Sequence, residues 1–176
     1  MDNSKLYLRK IYREKRKNIE NKKEKDRLIF EKVITNLKVL SADTILLYYS
    51  KEDEVNTISL IEYFLSIGKT VALPKTKEKV IEFYAIKDLN NKKLGKYNIF
   101  EPASNHLITD FSNSVCIVPG ICFDSNNFRV GYGGGYYDRF LNSYTGYSIG
   151  LTYCACLVDR IAIDNYDKQV DFIITD

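Results

Sequence analysis

Apolar side chains recur along this chain with two different periods. Residues 4 to 20, "SKLYLRKIYREKRKNIE", repeat at helical spacing. At about 100° per residue, Leu8, Ile11, Tyr12 and Ile19 form one stripe, and Lys5, Arg9, Arg13 and Arg16 a second beside it. Ser4 stands at the N-cap, and neither Gly nor Pro interrupts the run. A second amphipathic helix is predicted from about Lys25 to Leu40 through Ile29, Val33 and Leu37. "TISLIEYFLSIG" predicts a third, with Thr57 as N-cap and Gly68 as the left-handed residue beyond its end.

Between the helices lie short, continuous apolar runs: "TILLYYS" (44–50), "KTVALP" (69–74, stopped by Pro74), "SVCIVPG" (114–120), "YSIGLTY" (147–153) and "VDFIIT" (170–175). Such runs suit strands buried on both faces. "VIEFYAI" (80–86) alternates instead, like a more exposed strand, and residues 87–105 form a polar loop without period. Strands alternating with helices predict an α/β fold, one three-layer domain over residues 1–176 with a largely parallel sheet between helices.

Composition changes this picture little. The 176 residues are 45% hydrophobic and 28% charged with a net charge of +3, too slight for a whole surface that binds nucleic acid or membrane. No apolar run approaches the roughly 20 residues a bilayer requires, and "MDNSKLYLRK" has no signal-peptide core. Cys116, Cys122, Cys154 and Cys156 lie in apolar segments without metal-site spacing and read as reduced, buried residues. A cytoplasmic protein is expected.

The candidate chemistry sits in "RVGYGGGYYDR", residues 129 to 139. Converging backbone N–H groups hold phosphate oxygens well, and glycine permits both the close approach and positive φ. Gly131, Gly133, Gly134 and Gly135 supply such a backbone, with "YYDRFLNSY" (136–144) as a following helix. The order is neither a Walker loop, lacking GK[ST], nor G-x-G-x-x-G, since Tyr136 holds the sixth position. The competing interpretation is a hairpin turn near Asp124 to Asn127.

"VPGICFDSNNFRVGYGGGYYDRFL" closely resembles the signature of the 5-formyltetrahydrofolate cyclo-ligase family, in which Pro-Gly leads to a Phe-Asp turn and then R-[LV]-G-x-G-[GK]-G-[YF]-Y-D. "KLYLR", "YYSKEDEVNT", "LPKTKEKVIEFYAI" and "DNYDKQVDFIIT" follow the family's order along almost the whole chain. The resemblance implies cyclisation of 5-formyltetrahydrofolate to 5,10-methenyltetrahydrofolate with ATP as co-substrate and Mg²⁺ as cofactor, through a phosphorylated formyl group. It implies a nucleotide site at Lys5, Leu6, Tyr7, Leu8 and Arg9 and at Arg129, Val130, Gly131, Tyr132, Gly133, Gly134, Gly135, Tyr136 and Tyr137. Tyr49 and Glu54 join Tyr132 through Tyr136 on the folate side. Arg129, Tyr137 and Arg139 fall to the reaction itself, and Asp138 and Asp167 to the metal. Tyr166 stands where many members have His, and the preceding Pro is missing; His106, the one histidine, reads as surface.

Each assignment has a plainer counterpart. Asp138 could be a helix-end acid favouring the dipole, the Lys5–Arg9 stripe a solvated face, Glu54 a loop acid and Tyr49 a core aromatic. Two other functions compete: nucleic-acid binding through the basic first helix, and a different reaction, such as sugar-phosphate isomerisation, on a similar scaffold. The favoured reading is a monomer acting on small molecules, with neither nucleic acid nor membrane as partner.

Overall fold

The computed structural model describes residues 3–90, 92–94 and 100–176. The expected α/β architecture is present. Helix α1 (Lys5–Lys17) is followed by α2 (Lys22–Ile34), α3 (Leu37–Ser41), strand β1 (Thr44–Leu46), α4 (Ile58–Ser66), β2 (Thr70–Lys77) and β3 (Val80–Ile86). Next come short strands β4 (Lys92–Leu94) and β5 (Phe100–Pro102), then β6 (Ser114–Pro119), β7 (Cys122–Asp124) and β8 (Arg129–Val130). Helix α5 (Tyr136–Leu141), β9 (Tyr147–Leu151), β10 (Leu157–Val158) and β11 (Phe172–Ile174) complete the order.

Six strands form the main sheet in the order β11-β9-β6-β1-β2-β3, all parallel except the antiparallel edge strand β3. Both faces are covered, which is why the parallel strands read as unbroken apolar runs. Ile45, Leu47, Val71, Val115, Ile117 and Ile149 pack with Ile29, Val33, Leu60 and Phe64 of α2 and α4. On the other face, Leu46, Ala72, Cys116 and Val118 meet Tyr137, Phe140 and Leu141 of α5. A second sheet, β10-β7-β8, packs through Cys122 and Val130 onto Leu8 of α1.

Several boundaries differ from the sequence-based expectation. The helix expected through residue 40 breaks at Thr35, and Asn36 restarts the chain by accepting from the Lys38 and Val39 N–H groups. Val39 is therefore buried, and Leu37 is 81% exposed. Strand β1 stops at Leu46, because Thr57 Oγ1 donates to the Tyr48 carbonyl and accepts from the Ser50 N–H. Thr57 thus does not cap α4 with its side chain; Asn56 Oδ1 accepts from the Ile58 N–H instead. Gly68, at φ 79°, holds the left-handed position expected of it.

Pro74 does not end its strand. Ala72 directs its carbonyl at Leu47, so Pro74, two residues on, turns its missing N–H to the same side, where β1 has already left the sheet. The space vacated by β1 becomes part of the cleft described below. Asp124 to Asn127 do form the hairpin turn, with Asp124 Oδ1 accepting from Asn126 and Phe128, but the glycine run lies beyond it as a separate loop. Cys154 is exposed, unlike the other three cysteines, and is bonded to the Asp176 carbonyl rather than buried. His106 is exposed as expected.

Candidate active site

In the order of the main sheet, β1 sends the chain towards β2 on one side and β6 lies on the other, so β1 and β6 flank the topological switch point. Crevices at the carboxyl ends of such strands are where open α/β sheets bind ligands. A cleft of about 710 Å³ opens there. Tyr48 and Tyr49 beyond β1, Pro74 and Thr76 of β2, Ile81 of β3 and Pro119 at the end of β6 give it a largely apolar floor. One wall is polar, comprising Lys5, Arg9 and Arg13 of α1, the glycine run, Arg129 and Asp138.

Helix α1 begins with Ser4 accepting from the Tyr7 N–H. Leu8 docks on the small sheet and turns the Lys5–Arg9–Arg13 stripe towards the cleft. Arg9 Nε donates to the Gly131 carbonyl at 2.9 Å, joining segments 122 residues apart in sequence. Gly133 (φ 103°) and Gly135 (φ 63°) both occupy the region that favours glycine. Arg139 clamps the loop from behind, donating to the Gly134 carbonyl at 2.8 Å and to the Lys79 carbonyl on the β2–β3 turn.

Arg129 is only 7% exposed and gives Nη1 to the Lys168 carbonyl and Nη2 to Asp138 Oδ1, each at 2.9 Å. Burial lowers its pKa, while Asp138 pulls the other way. The Lys168 N–H also falls on Asp138 Oδ1, at 3.2 Å. Asp167 Oδ2 accepts from Lys5 Nζ and, at 2.6 Å, from the Asp164 N–H. Burial works against the Lys5 charge, but the bonds to Asp164 and Asp167 outweigh it and raise the lysine's pKa. Among the described residues no three His, Cys, Asp or Glu side chains cluster as metal ligands.

Glu54 is 5% exposed; Oε1 accepts from the Tyr132 hydroxyl at 2.6 Å and Oε2 from the Lys51 N–H at 2.8 Å. The Tyr137 hydroxyl is buried and, among the described residues, lacks a hydrogen-bond partner. Burial pushes its pKa well up, so it stays a neutral donor. A buried hydroxyl without a partner bordering a cleft is one that a ligand can satisfy.

Most of the residues singled out from the sequence thus converge. Lys5, Arg9, Tyr49, Glu54, Arg129, Gly131 through Asp138 and Asp167 all border this cleft. Leu6 is 78% exposed, Leu8 and Val130 are core residues, Tyr7 lies on the outside of α1, and Arg139 acts on the loop rather than the cleft. Arg13 borders the cleft as well, as do Lys51, Thr76 and Glu101, for which the sequence carried no signal. Arg13 was visible in the basic stripe. Glu101 lies in a stretch with no period, and its buried carboxylate accepts at Oε1 from the Thr76 N–H.

A crevice at the switch point of a doubly covered sheet, floored by apolar side chains and walled by cations, has the chemistry to receive a small anionic molecule. The model of the 5-formyltetrahydrofolate cyclo-ligase family matches residues 1–176. The 5-formyltetrahydrofolate cyclo-ligase of Mycoplasma pneumoniae is 33% identical over 135 residues, which cover 76% of this chain and 73% of that protein. The Escherichia coli K12 protein of the same name is 26% identical over 152 residues, covering 82% and 84% respectively. The solved 5,10-methenyltetrahydrofolate synthetase of Aquifex aeolicus superposes with a TM-score of 0.85 at 28% identity, covering 97% of this chain and 89% of that one. The chain belongs to the 5-formyltetrahydrofolate cyclo-ligase family and is a ligase.

Proposed function

We propose that this protein cyclises 5-formyltetrahydrofolate to 5,10-methenyltetrahydrofolate at the expense of ATP, with Mg²⁺ bound alongside the nucleotide. The observation that carries this reading is the junction of α1 with the glycine loop through Arg9 and the Gly131 carbonyl, in the same cleft as the buried carboxylate of Glu54. The cleft offers cations and backbone for a triphosphate, and a carboxylate and aromatic surface for a pterin.

In this reading the formyl oxygen attacks the γ-phosphorus and ADP leaves. N10 then closes on the activated formyl carbon, the carbon–oxygen bond breaks, and phosphate departs with that oxygen and the proton N10 gives up. A formamide oxygen is a weak nucleophile, so the protein's contribution is alignment and neutralisation of charge. Lys5, Arg9 and Arg13 bind the phosphates, Arg129 balances charge from beneath, and the Tyr137 hydroxyl donates to a ligand oxygen. Arg139 keeps the glycine loop in shape. Asp138 and Asp167 suit a hard cation that takes its remaining ligands from phosphate and water, and the ion would neutralise phosphoryl charge. Glu54 accepts from the pterin's N–H donors, and Tyr49 lends apolar surface.

The test is a pair of Michaelis constants. Arg9→Ala removes both a phosphate-side cation and the tie to Gly131, so its KM for ATP should rise roughly 10- to 100-fold, with Lys5→Ala similar and the folate KM much less changed. A defect confined to the folate side would overturn the assignment of α1.

A further inference from the structure

Arg16 continues the basic stripe of α1 by a further turn but does not border the cleft. Its side chain is 4% exposed. Nε donates to Asp53 Oδ2 at 3.0 Å, Nη1 to the Gly120 carbonyl at 3.1 Å, and Nη2 to both Asp53 and the Tyr132 hydroxyl, the latter at 2.6 Å. One guanidinium therefore holds the loop before Glu54, the end of β6 and the first tyrosine of the glycine run.

The direction of the next bond follows from donor counting. Arginine can only donate, so the Tyr132 oxygen is its acceptor, and the tyrosine's single hydrogen is left for Glu54 Oε1 at 2.6 Å. Burial, with Glu54 next, raises the Tyr132 pKa, so the hydroxyl keeps that hydrogen. Burial opposes the Arg16 charge, but Tyr132 and Asp53 outweigh it. A carboxylate as buried as Glu54 needs such compensation, and each of its oxygens retains a lone pair for a further donor. The Arg13 guanidinium and the Lys51 ammonium also lie 5.3 Å from the centre of the Tyr132 ring.

We propose that Arg16 is a positioning residue for the folate side of the cleft: through the Tyr132 hydroxyl it aims Glu54 at the pterin's N–H donors. The inference rests on the folate reading given above. It divides the labour of a single stripe. Lys5 and Arg9 face the nucleotide, whereas Arg16, two turns beyond Arg9 and buried, serves the other substrate without touching it.

The experiment compares Arg16→Lys, Tyr132→Phe and the double variant, with KM measured separately for 5-formyltetrahydrofolate and ATP. Lysine keeps the charge but replaces the planar fork, whose separate nitrogens reach Asp53, Gly120 and Tyr132, with one nitrogen that cannot span all three; phenylalanine keeps the ring and removes the relay. Each single change should raise the folate KM roughly 10- to 100-fold and leave the ATP KM within about twofold. The double variant should be little worse than either single, because both break one chain of bonds. A merely structural role would lower thermal stability without separating the two constants. An unchanged folate KM, equal rises in both constants, or effects that multiply in the double variant would overturn the proposal. Should Arg16→Lys fold too poorly to assay, an unchanged folate KM in Tyr132→Phe overturns it alone. Wild-type protein without turnover would instead refute the folate reading on which the proposal stands.

Discussion

Asp138→Asn is expected to lower turnover by roughly 100-fold or more while the chain still folds, destabilised by about 1–3 kcal/mol. The amide oxygen of asparagine can still accept from Arg129 Nη2 and the Lys168 N–H, the two bonds that fall on Oδ1. What disappears is the negative charge beside a guanidinium that is 7% exposed, and with it the charge available to a divalent cation in the cleft. Turnover and stability should therefore separate, with excess Mg²⁺ recovering part of the rate. Rates measured across a Mg²⁺ titration, beside urea unfolding, decide the matter. A wild-type rate with unaltered Mg²⁺ dependence would leave Asp138 as the counter-charge of Arg129 and nothing more.

Gly133→Val should abolish nucleotide binding in protein that remains folded. At φ 103° a β-branched residue is strained wherever there is room, at a cost of about 1–3 kcal/mol. A β-carbon by itself meets no clash, because it would come no closer than 3.8 Å to the Arg9 guanidinium. The loop would instead relieve the strain by changing shape, carrying its N–H groups and the Gly131 carbonyl away from Arg9. Gly131→Ala is the control: it needs no positive φ, and nothing lies within 4 Å of its added Cβ. Calorimetric titration with ATP should show binding lost in the first variant and kept in the second. Folded Gly133→Val protein with unimpaired ATP affinity would reduce the loop to a surface turn.

The central sheet was legible because α2, α4 and α5 cover both of its faces, so each parallel strand had to be apolar throughout. The glycine run was legible because few roles call for four glycines in five positions. Other features depended on distant partners. Nothing local distinguishes Arg16 from Arg13, yet one is buried between Asp53 and Tyr132 and the other lines the cleft. Pro74 looks like a strand terminator until β1 is seen to leave the sheet beside it. Strands β7, β8 and β10, of two or three residues each, are too short to show a period. The break at Thr35 arises from Asn36 capping a new helix inside an apolar stripe that continues in sequence.

Coupling of ATP to closure of the folate ring in this cleft can be read directly. Wild-type protein mixed with 5-formyltetrahydrofolate, ATP and Mg²⁺ should produce the near-ultraviolet absorbance of 5,10-methenyltetrahydrofolate, with one phosphate released for each folate cyclised. Leaving out ATP should abolish the signal. Absence of any absorbance change with all three present, or a change that persists without ATP, would rule that coupling out.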